Sequence, residues 1–169
     1  GENLADIGAM ANSEARVRVF SDDGNCVSDA LVMRHALEYV KGFDGVIAQH
    51  AQEPRLTQGA QMNEGIVSSQ LGLKGWPAIA EELMVHRDIE LVRLTGARIH
   101  FLHLSTERSV EMLRQAKAED GVLHAPKSLG IKLQPDNEQK HHDAEFRHGD
   151  HRFAFARKAK HLRAYNRAR

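Results

Sequence analysis

Short apolar runs that alternate with stretches of helical periodicity constrain the fold of this chain more than any other feature. Three such runs occur before residue 120, at 17–20, 45–48 and 98–102. Each is followed by a longer segment in which apolar residues recur every three or four positions. This alternation is typical of βα units around a parallel sheet, so the sequence predicts an α/β fold.

The predicted helices follow the strands in order. One begins at about Asp29, one follows Trp76 and Pro77, and one follows the third strand. Helical spacing relates three sets of apolar residues: Met33, Ala36, Leu37 and Val40; Ile79, Leu83, Val85, Ile89 and Val92; and Val110, Leu113 and Ala116. Between the second strand and the second helix, residues 55–75 are predicted to form a polar loop.

The alternating pattern ends at about Gly121. Residues 133–142 are polar and contain no strand-like run, and residues beyond 150 are expected to form at best a short basic helix. We therefore divide the chain into a partial barrel domain at 1–120 and a divergent polar and basic tail at 121–169. The tail is predicted to be disordered or partly helical.

The charge of the chain is balanced overall but uneven along its length. It has 23 basic and 23 acidic residues, yet no acid follows Asp150, and residues 1–150 carry a net charge of −7. An acidic body argues against a nucleic-acid partner. No apolar run approaches the roughly 20 residues of a membrane span. The single cysteine, Cys26, agrees with a reducing compartment, and we expect a cytoplasmic protein.

Metal-capable side chains follow all three predicted strands. Asp22 and Asp23 follow the first, His50 the second and His103 the third. Because the carboxyl ends of parallel strands meet at one edge of a sheet, we expect these side chains to converge there. A carboxylate and two imidazoles suit zinc or a similar divalent ion. Strand alternation leaves open which aspartate faces the site, and each histidine taken singly could be a hydrogen-bonded structural residue.

Other polar residues lie away from the ends of the three predicted strands, and each also has a structural interpretation. Asn63 and Glu64 could orient a ligand from outside the metal's own coordination or could structure the loop, and both alternatives stay open. His100 is expected to be a packed or supporting residue, and His35 and His86 to lie on helix surfaces. A solvated tract is predicted for the metal-like group in the tail, which comprises His141, His142, Asp143, His148, Asp150 and His151.

Six short phrases give the first 119 residues a family resemblance. They are Phe20-Ser21-Asp22-Asp23-Gly24, Gln49-His50-Ala51-Gln52-Glu53, Met62-Asn63-Glu64-Gly65, Trp76-Pro77-Ala78 with Ala80-Glu81-Glu82, Arg87-Asp88, and His100-Phe101-Leu102-His103-Leu104-Ser105-Thr106. In this order, with 27 positions from Asp23 to His50 and 53 from His50 to His103, they are specific. Over about residues 3–119 the chain resembles an internal part of the bacterial dihydroorotases of the amidohydrolase superfamily.

The resemblance implies a fold and a ligand set. The fold would be a partial TIM (β/α)8-type barrel of about three βα units, incomplete because eight units need about 250 residues. By analogy Asp23 is the carboxylate that touches the metal, and His50 and His103 are imidazole ligands in a site for one or two zinc ions. Related hydantoinases and dihydropyrimidinases have a carbamylated lysine where Asp23 stands, so the aspartate favours the dihydroorotase branch.

The resemblance also implies an activity, the reversible hydrolysis of dihydroorotate to carbamoyl aspartate in pyrimidine biosynthesis. The family's His-x-His-x-Arg motif and its last metal-site aspartate do not occur in this chain, so its catalytic residues are not assigned and we expect an inactive fragment. One alternative is a non-catalytic homologue that assembles with aspartate transcarbamoylase. Another is a different cyclic amidohydrolase, such as a dihydropyrimidinase or an allantoinase. A homodimer is a further possible assembly.

Overall fold

A computed structural model of the chain describes residues 1–119 and the backbone of residues 153–155. Helices and strands alternate through the described part. In chain order the elements are α1 (Ile7–Asn12), β1 (Val19–Ser21), α2 (Ala30–Lys41), β2 (Val46–Gln49), α3 (Pro54–Thr57), β3 (Met62–Asn63), α4 (Ile66–Leu71), β4 (Gly75–Trp76), α5 (Ile79–Thr95), β5 (Ile99–Phe101), α6 (Glu107–Ala118) and β6 (Phe153–Phe155).

The main sheet is parallel throughout and has the strand order β5-β2-β1-β6. Its register aligns Phe20 with Ile47 and Ile47 with Ile99. The three strands expected from the apolar runs are present, each shifted or shortened by one or two residues. The predicted α/β class with parallel strands is therefore confirmed.

The helix after β1 forms where its capping residues and apolar spacing place it. Asp29 caps α2 by accepting a hydrogen bond from the Val32 backbone N–H at 2.8 Å. The four predicted core positions of this helix, Met33, Ala36, Leu37 and Val40, are all buried. They pack against β1 and β2, so α2 covers one face of the sheet beside the strand ends that carry Asp23 and His50.

The next long helix, α5, packs between α2 and α6. Val85, Ile89 and Val92 are buried as their spacing predicts, but Ile79 and Leu83 are exposed. Ala80 and Met84 take the buried face, together with two acids, Glu81 and Asp88. Among the described residues, no helix combines the length and the apolar content that crossing a membrane requires.

The prediction of a polar loop over residues 55–75 is wrong in part. Two short helices, α3 and α4, and a two-stranded parallel ladder of β3 and β4 lie there. Local residues explain the helices, since Pro54 occupies the first turn of α3 and Gly72 ends α4 in the left-handed region at φ 66°. Elements of two to six residues are too short to produce the periodicity that sequence patterns detect.

The expectation for residues beyond 150 also needs a correction. A short basic helix at best was expected there, whereas residues 153–155 form β6, which pairs in parallel with β1 and aligns Phe20 with Ala154. The sheet edge beside β1 offers unpaired backbone groups, and a short extended segment can use them without side-chain alternation. The rest of the predicted tail lies outside the described residues, as does its group of histidines and aspartates.

Candidate metal centre

Asp23, His50 and His103 meet at the carboxyl edge of the parallel sheet. His50 Nδ1 lies 3.0 Å from His103 Nε2, and Asp23 Oδ1 lies 3.2 Å from His103 Nε2 and 3.3 Å from His50 Nδ1. The three atoms form a nearly equilateral triangle, which we call the three-donor cluster. The predicted convergence of these residues is confirmed, and Asp23 rather than Asp22 takes part.

Sheet register explains why residues so distant in sequence meet. Ser21 aligns with Ala48, and Gln49 aligns with Phe101, so the three strands end at the same level. Asp23 follows the end of β1 by two residues, His50 comes directly after β2, and His103 follows the end of β5 by two residues. At His103 the backbone turns with φ 32°, in the left-handed region that residues other than glycine rarely adopt.

Hydrogen bonds outside the cluster orient the His50 ring. Its Nε2 atom lies 2.6 Å from Gln52 Oε1, and the Gln52 amide donates in turn to Thr57 Oγ1 at 2.6 Å. An amide oxygen can only accept, so His50 Nε2 carries the proton in this arrangement. In the neutral imidazole the lone pair of Nδ1 therefore faces the cluster, and this is the tautomer that a metal ligand at Nδ1 requires.

The cluster is open to solvent on one side. The His50 side chain is 17% exposed, whereas Asp23 and His103 are 36% and 42% exposed. Burial acts to raise the pKa of the Asp23 carboxyl, but the His103 hydrogen bond, the imidazole charges and the Gly24 backbone N–H hold that pKa below its usual value. Asp23 is therefore ionised at neutral pH, and its open side leaves room for water or a small molecule.

The donor set fits a zinc ion. Three ligands of a tetrahedral zinc site, each about 2.0–2.2 Å from the ion, are about 3.3–3.6 Å apart. The distances between the three donor atoms, 3.0 to 3.3 Å, come close to this range. One anionic oxygen and two imidazole nitrogens are also the donor types that zinc prefers.

The remaining candidates lie in several places. Asn63 ends β3 and Glu64 follows it; both are exposed, and Asn63 Nδ2 donates to the Glu64 backbone oxygen at 3.1 Å. This bond belongs to the local turn, and a contribution to ligand binding stays a prediction. His100 is partly buried, and this burial lowers the pKa of its imidazole. The positive charge of Lys117 lowers the same pKa further.

The two surface predictions are confirmed, because His35 on α2 and His86 on α5 are both exposed. Neither belongs to the three-donor cluster. They therefore provide histidines with which the cluster histidines can be compared.

Three residues that support the cluster, namely Gln52, Glu81 and Asp88, lie in the phrases that carry the resemblance but were given no role from the sequence. Gln52 contacts His50 directly. Glu81 and Asp88 are buried acids on α5 that contact the segments next to His103 and His50. A signal for the acids was present, because charged residues on the apolar side of a helix need buried partners.

Comparison with protein families finds one matching model. The family is described as dihydro-orotase-like, and the model matches residues 1–109. The match includes all three residues of the cluster.

Several relatives share the same name. The chain is similar to the dihydroorotase of Leifsonia xyli subsp. xyli, with 67% identity over 118 residues that make up 70% of this chain and 27% of the relative. It is 64% identical to the Streptomyces coelicolor dihydroorotase over 118 residues, 70% of this chain and 28% of that one. For the Mycobacterium tuberculosis dihydroorotase the identity is 53% over 117 residues, which make up 69% of this chain and 27% of that one. The chain thus spans little more than a quarter of the relatives it matches.

A solved structure resembles the fold. It is the crystal structure of a dihydropyrimidinase from Brevibacillus agri, with a TM-score of 0.51, 18% identity, and coverage of 73% of this chain and 29% of the other. At this identity the likeness concerns the fold alone, and it agrees with the parallel α/β arrangement of the described residues.

Proposed function

The chain belongs to the dihydro-orotase-like family, and on that premise we propose that it carries part of the zinc centre of a dihydroorotase. The reaction would be the reversible hydrolysis of the cyclic amide dihydroorotate to carbamoyl aspartate, a step of pyrimidine biosynthesis in the cytoplasm. The observation that carries the proposal is the triangle of donor atoms from Asp23, His50 and His103, 3.0 to 3.3 Å apart at the carboxyl edge of the sheet.

Each member of the cluster has a distinct part in this proposal. Asp23 supplies the anionic oxygen, because an aspartate is ionised at neutral pH and the pKa of this one lies below its usual value. His50 supplies Nδ1, with the proton held on Nε2 by Gln52. His103 supplies Nε2 from the more exposed side of the cluster. Held by these three side chains, a zinc ion would make a water more acidic and would polarise the carbonyl group to be hydrolysed.

The architecture supports a partial TIM-type barrel as the origin of this site. β1, β2 and β5 are consecutive parallel neighbours in the sheet, each followed by a helix, and the candidate ligands lie at the strand ends where barrel enzymes place their active sites. We propose that the strands absent from this chain would supply the other ligands, the general base and the group that binds the substrate carboxylate. The domain at 1–120 is the proposed barrel portion.

Zinc binding by the purified chain tests the proposal directly. We expect the metal-free chain to bind zinc in a calorimetric titration. The variants Asp23→Asn, His50→Ala and His103→Ala should each lower the zinc affinity by at least about tenfold. This is the smallest loss that is typical when only a group that orients a ligand is removed, and removal of a ligand should cost no less. The exposed histidine variant His86→Ala is the matched control, because it removes an imidazole outside the cluster.

The comparison between variants separates the cluster from histidines elsewhere. The histidines beyond residue 120 are the same in all the variants. Zinc that they bind therefore does not contribute to a difference in affinity between two variants. Equal affinities for His86→Ala and His103→Ala would show that the cluster is not the metal site.

Turnover is a separate expectation. Because the chain spans about 27% of its relatives, we expect the purified, zinc-loaded chain to hydrolyse dihydroorotate at a negligible rate. Production of carbamoyl aspartate at a rate near that of a full-length relative would mean that the absent strands are dispensable.

A further inference from the structure

Two buried carboxylates on α5 contact the segments that carry the three-donor cluster. Glu81 is 8% exposed and Asp88 is 0% exposed, and they are seven residues apart, so both face the same side of the helix. Burying a carboxylate is costly unless hydrogen bonds compensate for the lost water. The partners that compensate therefore indicate what these acids do.

The partners of Glu81 belong to the loop that carries His103. Its Oε2 atom accepts from the Ser105 backbone N–H at 2.9 Å, and its Oε1 atom accepts from the Thr106 backbone N–H at 3.0 Å and from the Thr106 hydroxyl at 2.9 Å. The loop turns at His103 with φ 32°. A residue other than glycine keeps such a backbone conformation only where neighbouring contacts hold it. The hydrogen bonds from Glu81 supply such contacts, because they fix the loop two and three residues after His103.

The partners of Asp88 belong to the other two segments of the site. Its Oδ2 atom accepts from Gln49 Nε2 at 2.9 Å, and Gln49 is the residue before His50. Asp88 Oδ1 pairs with the Arg87 guanidinium at 2.6 Å. Arg87 also donates to the backbone oxygens of Val27 at 2.7 Å and Ser28 at 2.6 Å, in the connection that follows Asp23.

We propose that Glu81 and Asp88 are positioning residues, which hold the three ligand-bearing segments on one rigid helix and so set the separation of the donor atoms. Glu81 fixes the His103 loop, and Asp88 fixes His50 through Gln49 and the Asp23 connection through Arg87. The inference rests on the proposed metal site for its consequence, but the positioning itself is a property of the metal-free chain.

A purely structural alternative exists for Glu81. Ser105 and Thr106 directly precede α6, where a carboxylate stabilises the free N–H groups of a helix start. In that case loss of Glu81 would lower stability without moving His103 relative to His50. The experiment must therefore measure the separation of the imidazoles and not stability alone.

Glu81→Gln is the variant to test. A glutamine has one accepting oxygen in place of two, so an amide NH2 group would face one of the two backbone N–H groups and the loop would shift. The matched control is Glu82→Gln, because Glu82 is the adjacent acid on α5 and contacts Arg108 rather than the loop. Val92→Ala, which truncates a buried side chain on the same helix, controls for a general loss of stability.

The first readout is the nuclear Overhauser effect between the imidazole rings in the metal-free chain, whose ring centroids lie 4.7 Å apart. We expect this effect to disappear in Glu81→Gln and to persist in Glu82→Gln and Val92→Ala. The second is zinc affinity, which should fall about 10–100-fold in Glu81→Gln, as is typical when a group that orients a ligand is removed. Both controls should bind as the unaltered chain does.

Asp88→Asn provides an independent variant if Glu81→Gln does not fold. The asparagine oxygen still accepts from Gln49, while its NH2 group repels Arg87, so the Asp23 connection should be released and zinc affinity should fall by about tenfold or more. Folded Glu81→Gln that keeps the Overhauser effect and the zinc affinity of the controls would overturn the proposal, as would Asp88→Asn with unchanged affinity. If the unaltered chain does not bind zinc and the Overhauser effect disappears in Glu81→Gln alone, the metal site is refuted and the positioning role is supported.

Discussion

Truncation of Leu37 tests whether α2 packs on the sheet as the structure describes. Leu37 lies at the centre of α2, is 0% exposed, and packs in the core between α2, β1 and β2. Removing a buried leucine side chain down to alanine costs about 3 kcal/mol, from lost burial and from the cavity left behind. Since domains of this size have total stabilities of about 5–15 kcal/mol, the loss is a large fraction of the whole.

Urea denaturation followed by circular dichroism measures this loss. With a denaturant slope of about 1.5 kcal/mol per molar, Leu37→Ala should lower the midpoint by about 2 M. The control is Leu31→Ala on the same helix, where the side chain is 59% exposed and the change should stay within about 0.5 kcal/mol. Equal midpoints for the two variants would refute the packing of α2 on this sheet.

Three further outcomes follow from the same structure. Because the pKa of Asp23 is lowered in the folded chain, its contribution to stability is present above about pH 4, the pKa of an unfolded aspartate, and is lost as pH falls through the folded pKa. The melting temperature of metal-free Asp23→Asn should therefore depend less on pH below 4 than that of the unaltered chain does. Parallel curves of melting temperature against pH would contradict this. Burial raises the pKa of the Cys26 thiol, so iodoacetamide at pH 8 should alkylate the folded chain more slowly than the urea-unfolded chain; equal rates would show that Cys26 is accessible. Trypsin should cleave at Arg157 and Lys158, which follow β6, while residues 1–119 persist, and cleavage there as slow as in residues 1–119 would show that the segment after β6 is protected as well.

The sequence by itself determined the parallel α/β class, the main helices and the three candidate ligands. These features are local or periodic: apolar spacing along α2 predicts which residues it buries, and a polar residue after an apolar strand lies at the strand's carboxyl end whatever surrounds it. Parallel pairing then brings Asp23, His50 and His103 together without further information, since strand ends that share a register share an edge. The short elements between residues 54 and 76 escaped prediction because they contain too few residues to show a period.

Only the tertiary structure decided how the cluster is held. The tautomer of His50 depends on Gln52, and the hydrogen bonds of Glu81 with Ser105 and of Asp88 with Gln49 join residues 24 and 39 positions apart. Periodicity places an acid at position 81 or 88 on the apolar face of α5, but it does not show which groups would replace the water around that acid. It lies in the interior because backbone N–H groups and an amide from other segments replace that water, and such partners exist only once the segments have packed.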